Sequence, residues 1–243
     1  MAVSNSDLEL SLIRKFFGER DGFFVEVGAN HPKKGSQSWD LEQRGWHGIL
    51  VEPQPQLAAE LRNSRRAKVF EVACSSPQNA GHCLPFHVAG PMSSLDRDRM
   101  APGAMPEATI NVSAITLDEI LASANAPRHF DFLSIDVEGH EIEVLRGFTF
   151  DRWKPRLILL EDHVSNLKKH RFMKSADYRL IRRTGHNGWY VPASSEVEFD
   201  WKDRWEVMRK YYLALPFRIF RNLSRRLRQP FKDRRQAKIH LND

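Results

Sequence analysis

One stretch near the start of the chain, residues 23–30, constrains the fold more than any other. It reads Phe-Phe-Val-Glu-Val-Gly-Ala-Asn, and its alternating aromatic and β-branched residues predict a buried β-strand. Gly28 can adopt backbone angles that other residues avoid, so it predicts a tight turn that a ligand can approach. A segment of helical character follows from Ser36 to Arg44, with Ser36 or Ser38 as its N-cap. Strand, turn and helix N-terminus together favour a nucleotide-like or carboxylate-bearing ligand.

A second predicted strand, residues 48–53, ends in Glu52 and Pro53, and Glu52 follows Gly28 by 24 positions. An acid about 20 residues after a glycine turn, at the end of the next strand, is placed to accept both ribose hydroxyls. The second glycine of the dinucleotide pattern G-x-G-x-x-G is missing, which disfavours a pyrophosphate. Glu26 instead suits an amino group. S-adenosylmethionine fits this combination, and a βα turn without a ligand is the alternative for the first motif alone.

Three segments of the chain resemble the FkbM family of S-adenosylmethionine-dependent methyltransferases. They are residues 24–30, 44–53 and 135–147, and the most specific is the last, Ile-Asp-Val-Glu-Gly-His-Glu-Ile-Glu-Val-Leu-Arg-Gly. The resemblance covers roughly residues 20–165. It implies methyl transfer to oxygen, often on sugars of surface polysaccharides or on secondary metabolites.

Strands alternate with helices along the chain, which predicts an α/β fold with a mostly parallel sheet. Together with the resemblance, this pattern predicts a Rossmann-like class I methyltransferase with a seven-stranded sheet flanked by helices. One strand is predicted over residues 68–74, and an antiparallel pair near the C-terminal side over 178–183 and 189–191, with a further strand considered at 197–199. We expect the methyltransferase domain to span residues 1–200 and a basic amphipathic helical tail to span 201–243.

Polar residues at the carboxyl ends of the strands form the candidate site, because ligands of open α/β sheets lie there. The candidates for cofactor binding, with Ala73 expected beside adenine, are Glu26, Gly28, Asn30, Ser36, Glu52, Pro53, Ala73 and Asp136. The candidates for catalysis are Asp136, Glu138 and His163. His163 titrates near neutral pH and is the expected base, while Asp136 is expected to orient the acceptor hydroxyl or share that role. A structural histidine at a strand end is the alternative for His163.

A divalent cation is left open but is not predicted. Asp136, Glu138, Glu161 and Asp162 make an oxygen-rich cluster of the kind that suits Mg²⁺. Their order in the sequence specifies no coordination geometry, so no metal ligands are assigned.

The charge of the chain is concentrated in the predicted tail. Residues 201–243 hold 13 Lys and Arg against 4 Asp and Glu, whereas residues 1–200 hold 24 against 27. The near-neutral body disfavours a nucleic-acid groove across the domain. Apolar residues at helical spacing predict one stripe along the tail: Trp201, Trp205, Met208, Tyr212, Leu215, Ile219, Leu223 and Leu227. The stripe and its charge favour an anionic membrane surface, and packing of the first half on the domain is the alternative.

Function and location follow from these observations as expectations. The start of the chain lacks a basic region followed by an apolar run, and Cys74 and Cys83 make no disulfide framework. We therefore expect a cytoplasmic enzyme, peripheral on the inner face of the membrane, that methylates a glycan or glycolipid. A catalytically silent adaptor and an RNA methyltransferase are the alternatives. The presence together of Glu26, Gly28, Glu52 and the two acids at 136 and 138 favours the enzyme.

Overall fold

The computed structural model describes residues 5–96, 106–164, 166–198 and 200–217, and of residues 5 and 6 only the backbone. The strands of the larger sheet are β1 (Phe23–Val27), β2 (His47–Val51), β3 (Lys68–Phe70), β7 (Phe132–Ile135), β8 (Leu157–Glu161), β9 (Tyr178–Thr184) and β10 (Asn187–Pro192). The strands of the smaller sheet are β4 (Ala73–Cys74), β5 (Cys83–Val88) and β6 (Ala108–Ile115). The α-helices are α1 (Asn5–Phe17), α2 (Trp39–Gln43), α3 (Pro55–Ser64), α4 (Leu117–Ser123), α5 (Glu141–Arg146), α6 (Lys168–Ser175) and α7 (Trp201–Met208). A π-helical turn, Arg209–Leu213, continues α7.

The larger sheet has the strand order β3-β2-β1-β7-β8-β10-β9. Six of its strands are parallel, and β10 runs antiparallel to both of its neighbours, β8 and β9. This confirms the predicted Rossmann-like class I methyltransferase fold. From β1 the chain first adds β2 and β3 on one side of β1 in the sheet, and β7 is later added on the other side of β1. The crevice beyond β1 and β7 is therefore where ligands of such sheets bind.

Successive side chains of the central strands alternate between two layers of the hydrophobic core. In β1, Val25 and Val27 face one layer while Phe24 faces the other, because successive side chains of a strand point to opposite faces. β8 repeats the pattern, with Ile158 and Leu160 opposite its remaining leucines. Both faces of the sheet are thus covered by helices, which explains why these strands are apolar throughout.

The strand predicted over residues 68–74 was wrong as a single element. β3 pairs with β2 at the edge of the larger sheet, whereas β4 pairs with β6 in the smaller one. A bend at Val72 separates them, and the amide of Ser75 continues the second pairing by donating to Ile115. Backbone groups of this segment thus find partners in two different sheets. The strand considered at 197–199 is not formed at residues 197 and 198, and residue 199 lies outside the described residues.

The first part of the predicted tail packs against the larger sheet. Tyr211 and Leu215 are buried in the core, and Arg182 of β9 donates to Asp203 of α7. The predicted single apolar stripe is divided here, because Leu215 is buried while Trp201 is exposed. The tail positions Ile219, Leu223 and Leu227 lie outside the described residues. In the part of the chain that the structure covers, every helix is too short or too polar to cross a bilayer.

Candidate active site

Gly28 lies at the turn after β1 with a φ of +83°, in the region that favours glycine. A Cβ at this position would lie 1.8 Å from the carbonyl oxygen of Asp136. The amides of Gly28 and Ala29 both donate to Val51 at the end of β2. The close approach of the chain after β7 therefore requires a glycine here, whereas the ligand access expected from the sequence stays a prediction. The turn nevertheless forms part of a cavity wall.

Glu52 is buried at the end of β2 and is 4% exposed. Its Oε2 accepts a hydrogen bond from the amide of Asn30 at 2.9 Å, and its Oε1 accepts one from Gln54 at 2.9 Å. Burial raises the pKa of Glu52, and these two hydrogen bonds counteract part of that rise. Each carboxylate oxygen can accept a second hydrogen bond, so Glu52 keeps the capacity to bind a diol.

Glu26 lies inside β1 and is 2% exposed, yet it also borders the cavity. The hydroxyls of Ser36 and Ser38 donate to its Oε2, and the amide of Gln37 donates to its Oε1. Burial raises the pKa of Glu26. Ser38 makes no side-chain cap of α2, whereas Oγ of Ser36 accepts from the amide of Trp39 at 3.1 Å, so Ser36 makes the predicted capping contact. Ser36 is not part of the cavity wall, and its hydroxyl positions Glu26.

Arg65, which follows α3, was not identified from the sequence. Its side chain is completely buried and forms a salt bridge from Nε to Oε2 of Glu42 at 2.8 Å. It also donates to the hydroxyl of Ser38 at 2.8 Å and to the carbonyl of Pro32 at 3.0 Å. Its charge lowers the pKa of Glu26, partly offsetting burial. One guanidinium thus connects the glycine loop, α2 and the acid in β1.

The cofactor cavity, as we name it, has a volume of about 480 Å³ at the carboxyl ends of β1, β2 and β7. This size is within the range of small-molecule sites. Its predicted polar residues are Glu26, Asn30, Glu52, Asp136 and Glu138. Its apolar side chains include Leu57, Val72, Ala73, Cys74, Phe86 and Val137. Of the predicted cofactor residues, all except Ser36 border this cavity, including Pro53.

A second cavity, which we name the acceptor cavity, has a volume of about 420 Å³. Glu138 and His140 belong to the walls of both cavities. The other polar residues of the acceptor cavity are Asp96, Glu143, Arg146, Glu161, Asp162, His163, Asn166, Lys168 and Lys169. His163 borders this cavity and not the first. The predicted catalytic residues are thus distributed over two neighbouring cavities, with Glu138 between them.

The acids at the junction shift one another's pKa. Burial, followed by the charges of Glu161 and Glu138, raises the pKa of Asp136 well above its ordinary range. Burial and the charge of Glu161 raise the pKa of Glu138 to about 7. The charge of Glu141 is better compensated, because Nζ of Lys169 lies 2.6 Å from its Oε2. Shifts of this kind accumulate at functional sites, and Glu138 is poised to exchange a proton near neutral pH.

His163 is exposed, and its Nε2 lies 2.9 Å from Oε1 of Glu161. Its Nδ1 lies 3.1 Å from Nδ1 of His186. The hydrogen bond to Glu161 raises the pKa of His163, which favours the charged imidazolium and weakens it as a base. His140, two residues after Glu138, pairs through Nε2 with the hydroxyl of Ser75 at 2.8 Å.

Glu138, Glu161 and His163 offer ligand atoms that lie within 4.8 Å of one another. This spacing is compatible with a divalent cation. A histidine must be neutral to bind a metal, whereas the contact with Glu161 favours its charged form. A divalent cation is therefore still left open, and the chemistry proposed below does not use one.

Comparison with known proteins gives one family match and several distant structures. A family model described as "Methyltransferase FkbM domain" matches residues 26–180. A precorrin-6y C5,15-methyltransferase from Geobacter metallireducens GS-15 is 13% identical, with a TM-score of 0.41 over 76% of this chain and 85% of that one. The hMettl16 catalytic domain, solved with MAT2A 3′UTR hairpin 6, is 13% identical, with a TM-score of 0.40 over 82% and 74%. No curated protein matches the chain.

Proposed function

The chain belongs to the FkbM family of methyltransferases, and on that premise we propose that it is an S-adenosylmethionine-dependent O-methyltransferase acting on a sugar hydroxyl. The acceptor we propose is a surface polysaccharide, a glycolipid or a related metabolite. One observation carries this proposal: a partly apolar cavity with acids at one end adjoins a polar cavity, and Glu138 borders both. The first suits the cofactor and the second suits a carbohydrate.

The cofactor cavity offers a distinct partner for each part of S-adenosylmethionine. Glu52 has acceptor capacity left for the two ribose hydroxyls. Ala73 and the neighbouring apolar side chains suit adenine, and no phosphate-binding glycine pattern is needed. The acids 26, 136 and 138 suit an ammonium and a sulfonium, because a cation bound at this end of the cavity favours the ionised form of their carboxyl groups. When bound, the cofactor supplies an activated methyl group.

The acceptor cavity suits a hydroxyl-rich ligand, because carboxylates, imidazoles, ammonium groups and an amide share its wall. In the proposed reaction the acceptor oxygen forms a bond to the methyl carbon as the carbon–sulfur bond breaks. The hydroxyl proton passes to the carboxylate of Glu138, whose pKa of about 7 suits a general base. Asp136 orients the acceptor hydroxyl from the other cavity. His163, held by Glu161, places its positive charge at the wall of the acceptor cavity.

The direct test is incubation of the protein with labelled S-adenosylmethionine and a panel of glycans, glycolipids and RNA. We expect label in a carbohydrate acceptor, stable to the treatments that cleave methyl esters. Label in RNA would favour the RNA methyltransferase. Cofactor binding without transfer to any acceptor would favour the silent adaptor.

Glu52→Gln should weaken S-adenosylmethionine binding by roughly 10–100-fold, because it removes the charge that assists the ribose hydrogen bonds. Titration calorimetry with S-adenosylmethionine and its demethylated product measures this change. Glu60→Gln on the exposed face of α3 is the matched control and should bind normally. Unchanged affinity in a folded Glu52→Gln protein would remove Glu52 from the cofactor site.

A further inference from the structure

An exposed apolar surface covers α7 and the residues that follow it. Eight large hydrophobic side chains are exposed among the described residues, and six of them lie between positions 201 and 217. We name this group the aromatic surface; it comprises Trp201, Trp205, Met208, Tyr212, Leu213 and Phe217. Single exposed hydrophobic residues are ordinary on proteins, but a concentration of this kind marks an interaction site.

The outward orientation of the aromatic surface is set by contacts on the opposite side of the same segment. The π-helical turn directs Tyr211 into the core, where its hydroxyl donates to Oδ2 of Asp162 at 2.8 Å and accepts from Arg183 at 2.8 Å. Asp203 is held by Arg182 of β9. The segment therefore cannot rotate its aromatic side chains inward without breaking buried hydrogen bonds.

The charge of residues 201–217 is positive, with four Lys and Arg against two acids, whereas three exposed acids, Glu196, Glu198 and Asp200, lie just before them. Lys202 and Arg209 are exposed on the same segment. The two acids of residues 201–217 are each paired, Asp203 with Arg182 and Glu206 with Lys210. The sequence from 218 to 243 adds nine Lys and Arg against two acids. A partner with a negative surface is therefore favoured.

We propose that the aromatic surface binds an anionic phospholipid bilayer, with α7 lying in the plane of the interface. Tryptophan and tyrosine prefer the boundary between headgroups and acyl chains, where an apolar ring and a polar N–H or O–H are both accommodated. The flanking lysines and arginines contact anionic headgroups. RNA offers negative charge but gains nothing from Met208, Leu213 and Phe217, so the bilayer fits the whole surface better.

Membrane attachment would place the acceptor cavity beside the lipid. Tyr211, on the core side of the segment, hydrogen-bonds Asp162, which forms part of the acceptor cavity wall. This placement of the cavity matters only if the proposed function holds, and it then narrows the class of acceptor to sugars carried on a lipid. Binding to the bilayer itself does not depend on methyl transfer.

Co-sedimentation of the full chain with vesicles tests the proposal. Vesicles of phosphatidylcholine alone, or mixed with phosphatidylserine, are compared at low and high salt. We expect binding to the anionic vesicles that salt weakens, and the double variant Trp201→Ser/Trp205→Ser should bind them roughly 100-fold less tightly. Leu8→Ser, an exposed leucine on α1, is the matched control and should bind as the parent protein does.

Several results would overturn the proposal. One is that the protein binds no vesicles, and another is that its binding is the same whatever the lipid charge and the salt. A third is that the control variant Leu8→Ser loses as much vesicle binding as the double tryptophan variant. A dimer dissociated by the double tryptophan variant, without vesicle binding, would assign the surface to a second copy of the chain. Because Glu52→Gln should still bind vesicles, and the tryptophan variant should still methylate a water-soluble acceptor, failure here is separable from failure of the proposed enzyme.

Discussion

Replacement of Glu138 by glutamine is expected to lower kcat by about 10²–10⁴-fold, the range for loss of a general base. Glutamine keeps the size of the side chain but cannot accept the proton of the acceptor hydroxyl. Glu138 is half-buried at the junction of the two cavities, so the substitution leaves the rest of both walls in place. We expect S-adenosylmethionine affinity to change far less than kcat.

The pH dependence of the reaction separates Glu138 from His163 as the base. Burial and Glu161 raise the pKa of Glu138 to about 7, so the ionised form required of a base is lost as the pH falls through 7. The rate of the parent enzyme should therefore rise with pH through that value and level off above it. In Glu138→Gln this inflection should disappear. Single-turnover methyl transfer, measured across the pH range, reports the chemical step without product release.

Substitution of His163 provides the opposing test. If Glu138 is the base, His163→Gln should lower kcat less than Glu138→Gln and leave the inflection near pH 7 in place. If His163 is the base, as the sequence first indicated, the order of the two effects is reversed. A Glu138→Gln enzyme with the parent rate would contradict the proposed role.

The central fold was predictable because its signals are local. The apolar strands, the glycine turn and the acid after β2 each occupy a few consecutive residues, and parallel strands bring their carboxyl ends to one edge. Glu52, Asp136 and Glu138 consequently border one cavity, as the strand-end argument predicted. The start of α4 is set by a signal of the same local kind, a capping box in which Thr116 accepts from the amide of Glu119 and the Glu119 side chain accepts from the amide of Thr116.

The features that were missed depend on contacts between distant residues. Arg65 looks like an ordinary exposed arginine after a helix, because its partner Glu42 lies 23 positions earlier. The π-helical turn interrupts the predicted α-helical periodicity of the tail, so Leu215 is buried although Trp201 and Tyr212 of the same predicted stripe are exposed. His163 was expected to be a base because its ordinary pKa is near neutral. Only its distance to Glu161 shows that the charged form is favoured.

Arg65→Met should lower the free energy of unfolding by about 3–5 kcal/mol, the cost of leaving a buried charge without its partner. Methionine fills most of the space of the arginine stem but satisfies neither Glu42 nor the hydroxyl of Ser38. Arg62→Met is the matched control, because Arg62 pairs with Glu71 on the surface, and its loss should cost less than about 1 kcal/mol. Urea denaturation of the three proteins measures both differences.

A second substitution distinguishes the buried pair from a simple packing effect. Arg65→Met combined with Glu42→Gln removes both charges, and part of the lost stability should return, because the uncompensated carboxylate is no longer buried. Additive losses in the double variant would contradict this explanation.

Because Arg65 also lowers the pKa of Glu26 at the cavity wall, Arg65→Met should weaken S-adenosylmethionine binding even where the protein remains folded. Calorimetry well below the unfolding midpoint separates that loss of affinity from the loss of stability.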